Sequence, residues 1–154
     1  MNKFFFLFVA AFLLISCGAK KTTTVGTNGP DILSTSTNGY STSEDFEPFL
    51  DVTRDAPDDN YGLSGENPVM VGEKSSVNQR RYLASLAGPY GEQLTFHRRG
   101  SCCSYESENG MDGVGLVDVY EVSYGNIKQP ILVYISFYDS ETLYIPRGFT
   151  KRNL

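Results

Sequence analysis

The sequence predicts an α+β protein, with one amphipathic helix packed on a small antiparallel sheet after a flexible N-terminal tether. Three observations carry this. Helical periodicity occurs in one stretch, Val77 to Ala87, among several β-rich stretches. Ile131 to Tyr138 is almost wholly apolar, the pattern of a strand buried on both faces. Residues 18–66 are rich in polar turn formers without an apolar period, so they bury too little surface to offset the entropy of ordering.

The elements follow in chain order. Met1-Asn2-Lys3 is a basic start, and Phe4 to Ile15 is a short apolar run closed by Ser16-Cys17-Gly18. That is the layout of a secretory signal, here residues 1–16. About twelve apolar residues at ~1.5 Å each span only about 18 Å, whereas a membrane-crossing helix needs roughly 20 residues. Residues 17–66 read as an acidic tether rich in Ser, Thr, Gly and Asn. Phe46-Glu47-Pro48-Phe49-Leu50 is the apolar patch in it, expected to dock on the body.

The body is expected over residues 67–154. Pro68 to Val71 predicts a short strand ended by Gly72. Ser76-Val77-Asn78-Gln79 has the spacing of a capping box. Tyr82, Leu83, Leu86 and Ala87 continue at helical spacing until Gly88-Pro89 stops the helix. Gln93 to Arg98 alternates as a strand. Tyr105 to Gly113 reads as a solvated loop and matches no calcium-loop pattern. Leu116 to Tyr124 is β-rich, with its polar side chains expected in water. Ile131 to Tyr138 is the expected central strand, and Leu143-Tyr144-Ile145 is a last apolar piece.

Charge narrows the function classes. The whole chain carries −5, and the acid is concentrated before Pro68. The body is balanced and has no basic stripe to neutralise a row of phosphates, which excludes nucleic acid as a partner. No phosphate loop, dinucleotide fingerprint or Ser-His-Asp spacing occurs, and no cofactor is implied.

His97-Arg98-Arg99-Gly100-Ser101-Cys102-Cys103 is the chemically richest stretch, and His97 is the one histidine. Three readings stand. His97, Cys102 and Cys103 could ligate a metal, although adjacent cysteines turn inward poorly and a closed zinc site wants four ligands. Cys102 and Cys103 could form a redox pair, with Arg98 and Arg99 lowering a thiol pKa or the two sulfurs closing a vicinal disulfide. Both could instead be small buried side chains, as free cysteines often are.

Two resemblances add to this. Leu14-Ile15-Ser16-Cys17 resembles a bacterial lipoprotein signal, which implies that Cys17 is the first mature residue and is acylated. Asn67 to Gly72, Leu86 to Gly91, Gly100 to Cys103 and Leu116 to Val122 are together similar to a group of small lipoproteins and secreted proteins of Bacteroidetes-type bacteria. Relatives often have Pro after the Cys pair, where this chain has Ser104. Some members bear the name 2-dehydro-3-deoxyphosphooctonate aldolase. That enzyme class is a (β/α)₈ barrel of about 200 residues or more, which a body of this length cannot build. In such bacteria, lipoproteins exposed on the surface tend to carry acid just after the acylated cysteine. Here Gly18-Ala19-Lys20-Lys21 follow, with no acid before Asp31. The resemblance thus implies an outer-membrane lipid anchor facing the periplasm. The expected function is a non-enzymatic envelope module that meets the membrane through Cys17 and binds an envelope protein or glycan. The alternative is a thiol-redox or metal-binding protein built on His97, Cys102 and Cys103.

Overall fold

The computed structural model describes residues 39–154. Its elements, in chain order, are β1 (Ser41–Thr42), β2 (Val69–Met70), α1 (Ser76–Ala84), β3 (Leu86–Ala87), β4 (Leu94–Met111), β5 (Val114–Tyr124), β6 (Ile131–Ser136) and β7 (Thr150–Lys151). Five strands form one sheet in the order β1-β4-β5-β6-β2, and β3 pairs with β7 in a second, two-stranded sheet. The large sheet is mixed, because β2 runs parallel to β6 while the other pairs are antiparallel.

The expected α+β class is corrected. About 41% of the described residues are strand and 10% helical, so the protein is mostly β. Two local causes account for the difference. Asp112-Gly113 has φ of 53° and 81°, the left-handed pair that a two-residue hairpin turn needs. The stretch read as a solvated loop is therefore the end of β4 and the turn into β5. In addition, the helix stops at Ala84, and Leu86-Ala87 leave it to pair with Thr150 and Lys151.

The helix also lacks a purely apolar inner face. Asn78 and Gln79 are buried on it beside Tyr82 and Leu83. The predicted capping box does not form: the N-cap is Ser75, with no side-chain cap bond. Gln79 turns into the core instead.

Alternation assigns each strand its faces. Leu94 and Phe96 of β4, Tyr120 and Val122 of β5, and Val133 and Ile135 of β6 face the main core with Leu83 and Tyr82. The strand buried on both faces is β5, where Val117, Asp118, Val119 and Tyr120 are consecutively buried. In β6, Val133 and Ile135 are fully buried while Leu132 and Tyr134 are half-buried. The expected double-sided burial thus belongs to β5.

The ordered body begins before Asn67. Ser41-Thr42 pairs with Thr95-Phe96, and Val52 and Tyr61 are core residues at 0% and 5% exposure. Phe46 and Phe49 pack against the core, as expected of that patch. Arg80 lies over the Phe46 ring at 5.2 Å and Arg81 over Phe49 at 4.3 Å. Of the tether expected over 17–66, residues 39–66 are therefore part of the fold. Its earlier residues, the signal and Cys17 lie outside the described residues. Beyond β6, the long β4–β5 hairpin is pinned on one face. Tyr105 shares a 2.9 Å hydrogen bond with Ser136, and Asn109 donates to Asp139 at 2.6 Å.

Candidate functional site

Two register shifts in β4 build the site. The pairing with β5 slips between Arg98 and Gly100 and again between Ser101 and Cys103. Each slip leaves one extra residue, Arg99 and then Cys102, a bulge that re-aims its neighbours. The first slip brings Arg98 and Ser101, three residues apart, opposite Tyr120 and Asp118 on the core-facing side of β5.

Asp118 is the centre of the resulting network. It is 3% exposed. Its Oδ1 accepts from Arg98 Nη2 and from Ser101 Oγ, each at 2.7 Å, and its Oδ2 accepts from Gln79 Nε2 at 3.1 Å. Gln79 Nε2 also donates to the Ile135 carbonyl at 3.1 Å, and its Oε1 accepts from the Tyr120 hydroxyl at 3.0 Å. Burial alone would raise the Asp118 pKa. The bonds from Arg98, Ser101 and Gln79 outweigh it and hold the carboxyl below the usual range. Burial pushes the Tyr120 hydroxyl up to about 12, with Arg80 opposing. At neutral pH the network is therefore one hydrogen-bonded carboxylate, one neutral phenol and one guanidinium.

A cleft of about 440 Å³ opens beside this network. Ser41, Ser76, Arg80, Arg98, Tyr120 and Phe137 are on its wall. Arg98 is half-exposed there. Arg80 Nε is buried and has no hydrogen-bond partner among the described residues.

The residues singled out from sequence divide between the two faces of the sheet. Arg98 joins the Asp118 network. His97 also borders the cleft, but its ring pairs on the opposite face, with Nε2 3.4 Å from Glu121 and its centroid 4.3 Å from that of Tyr40. Arg99 Nε lies 3.2 Å from the second oxygen of Glu121. Cys102 and Cys103 are joined in a disulfide. Cys102 is exposed and Cys103 half-buried, which corrects the reading of two buried thiols. The disulfide borders a shallow groove with Val119, Leu132 and Tyr134. Gly65 lies against it: a Cβ there would sit 2.4 Å from Cys103 Sγ.

The metal and thiol-activation readings gain no shared geometry. Among the described residues, no group of three or more His, Cys, Asp or Glu side chains could hold one ion. Arg98 and Arg99 are paired with carboxylates, Asp118 and Glu121. Gln79, Asp118 and Tyr120 were not legible as site residues. The one available signal was Asp118 inside the apolar run Leu116-Val117-Asp118-Val119, where a carboxylate needs donors if both faces are covered. No protein-family model matches the chain, and no curated protein or solved structure matches it either.

Proposed function

We propose that this chain is a lipid-anchored module of the bacterial cell envelope that binds an envelope component without turning it over, and that the cleft beside Arg80 and Arg98 is its ligand site. The observation that carries the reading is the state of Asp118. Three donors bond its two oxygens, and its pKa is lowered. A carboxylate so held is a poor proton acceptor at neutral pH and a good fixed strut. It orients Arg98, whose half-exposed side chain faces the cleft. This is a recognition surface rather than an acid–base pair.

The lipid anchor rests on Cys17 and its Leu-x-small-Cys context. Periplasm-facing placement rests on Lys20-Lys21 and the late first acid, Asp31. A fatty-acid analogue should label the wild-type chain and leave Cys17→Ala unlabelled, and equal labelling would remove the anchor from the proposal. The cleft is tested with a photo-crosslinking residue at Ser41, against a distant control at the exposed Tyr90. An envelope adduct formed from position 41 and absent from position 90 supports the reading, and equal adducts or none sink it.

One observation favours a second reading, a thiol–disulfide protein. Cys102 is exposed at the edge of an open groove. A dithiol reductant could reach it, supply two electrons and two protons, and leave Cys102 and Cys103 as thiols while becoming a disulfide itself. A pair that stays oxidised in the periplasm of wild-type cells and of cells lacking thiol oxidases would exclude cycling.

A further inference from the structure

We infer that the cleft takes a small carboxylate-bearing molecule, held by Arg80 from α1 and Arg98 from β4. This rests on the cleft being the ligand site. Three observations lead to it.

The first is charge. The chain carries −5, yet this cleft is lined by Arg80, Arg98 and one carboxylate, Asp118, with His97 also on its wall and set against Glu121. Asp118 cancels one of the two guanidinium charges, through the 2.7 Å ion pair with Arg98. One positive charge is left over, carried on the Arg80 side. A single carboxylate matches it, whereas a phosphate near −2 would leave an excess negative charge beside buried Asp118.

The second is an unused donor. Arg80 forms no ion pair among the described residues, and its Nε is buried without an acceptor. A buried N–H left unpaired costs free energy. The Phe46 ring against the guanidinium holds its plane without satisfying that N–H. A guanidinium fixed on an aromatic face presents its fork to a planar oxyanion, and a carboxylate is the planar match. Arg98 uses Nη2 for Asp118 and Ser101, which leaves its Nη1 and Nε for a ligand.

The third is the surround. Ser76, the first residue of α1, is on the cleft wall, and no side chain caps that helix start. The first-turn amides of a helix favour an anion. Phe96, Tyr120 and Phe137 give the cleft apolar wall area. The volume, about 440 Å³, is that of a small-molecule site. A sugar acid or a short acidic peptide end would both present the required group.

The test uses the full lipidated chain in detergent micelles, followed by the ¹⁵N–¹H resonance of Arg80 Nε. D-glucuronate and N-acetylglycine are the two probes, and glucose and sodium chloride at matched ionic strength are the controls. A saturable shift with either acid, absent with glucose and chloride, is the expected result. The acid that shifts the resonance at lower concentration identifies the source as sugar or peptide. Arg80→Gln should weaken binding about tenfold or more, and Arg80→Lys should recover only part of it, since a lysine lacks the fork. Thermal melts of both variants verify that they fold. An equal shift with chloride, or unchanged binding in a folded Arg80→Gln chain, overturns the inference. The crosslink from position 41 separates the two levels. If it forms while neither acid binds, the ligand class is wrong and the cleft reading stands. If the acids bind and no crosslink forms, the carboxylate site stands and the envelope partner falls.

Discussion

Gln79 and Asp118, 39 positions apart in the chain, are joined by a 3.1 Å hydrogen bond from Nε2 to Oδ2, and both are buried. Because Gln79 also reaches the Ile135 carbonyl and the Tyr120 hydroxyl, one side chain ties α1 to β5 and β6. The amide has two N–H donors and an oxygen acceptor, and each kind is used here. Burying such a group is favourable only when its partners are supplied. The helix is thus fastened to the sheet by a polar lock as well as by Tyr82 and Leu83.

Gln79→Ala should therefore lower stability by about 1–3 kcal/mol, since it strips a donor from Asp118 and an acceptor from Tyr120. The network also sets an acid dependence. The folded-state pKa of Asp118 lies below its ordinary value, roughly 3.9 when unfolded. Its contribution is present above that unfolded value and is lost as pH falls through the folded one. Melts of wild type should fall on acidification below about pH 4, and Asp118→Asn should be less stable at neutral pH with a shallower acid limb. Parallel acid limbs would show that Asp118 is not the titrating group.

What sequence made legible follows from where side chains satisfy themselves. The strand positions near Val69, Leu94 to Arg98, Leu116 to Tyr124 and Ile131 to Ser136 were readable because apolar runs carry local period and length. Residues 39–66 were not, because Val52 and Tyr61 are isolated apolar residues whose burial is supplied by partners far along the chain. Asp112-Gly113 was a hairpin signal in the sequence, masked by the acidic residues before it. The site fared worst. Arg98 looked like a cation for nearby sulfurs, yet it follows Leu94 and Phe96 on the core-facing side of β4, where the bulge at Arg99 brings Ser101 round to join it at Asp118. Register slips of that kind leave no periodic trace.

Val133→Asp and Ile135→Asp should each unfold the body. Both side chains are 0% exposed, on a strand flanked by β5 and β2. An unpaired carboxylate there costs several kcal/mol, against a total stability of about 5–15. Cooperative melts at the wild-type temperature would contradict the assigned burial.

For the cysteine pair, alkylation of the native chain should modify neither Cys102 nor Cys103 until a reductant is added, and then both. Exposure of Cys102 makes the bond reachable without unfolding. A link between adjacent residues closes only a minimal loop, so changing both to Ala should cost on the order of 1 kcal/mol by loop entropy. Alkylation of either residue before reduction would show that the native pair is a dithiol.

Gly65 supplies the final prediction. Its ideal Cβ would lie 2.4 Å from Cys103 Sγ and 3.4 Å from Cys102 Sγ. The disulfide cannot swing aside as a single flexible side chain would, because each sulfur is held by the other. Gly65→Ala should then lower stability by about 1–3 kcal/mol through overpacking. The cost should shrink when Cys102 and Cys103 are both alanine, because the sulfurs that meet the new methyl group are gone. A double-mutant cycle measures this directly: residues in contact couple, and distant ones add. A coupling near zero would mean that the 61–66 segment does not rest on the disulfide. A coupling of roughly 1 kcal/mol or more would make the disulfide a packing partner of that segment, so that its reduction would loosen Gly62, whose carbonyl accepts from the Tyr134 amide of β6 at 2.9 Å.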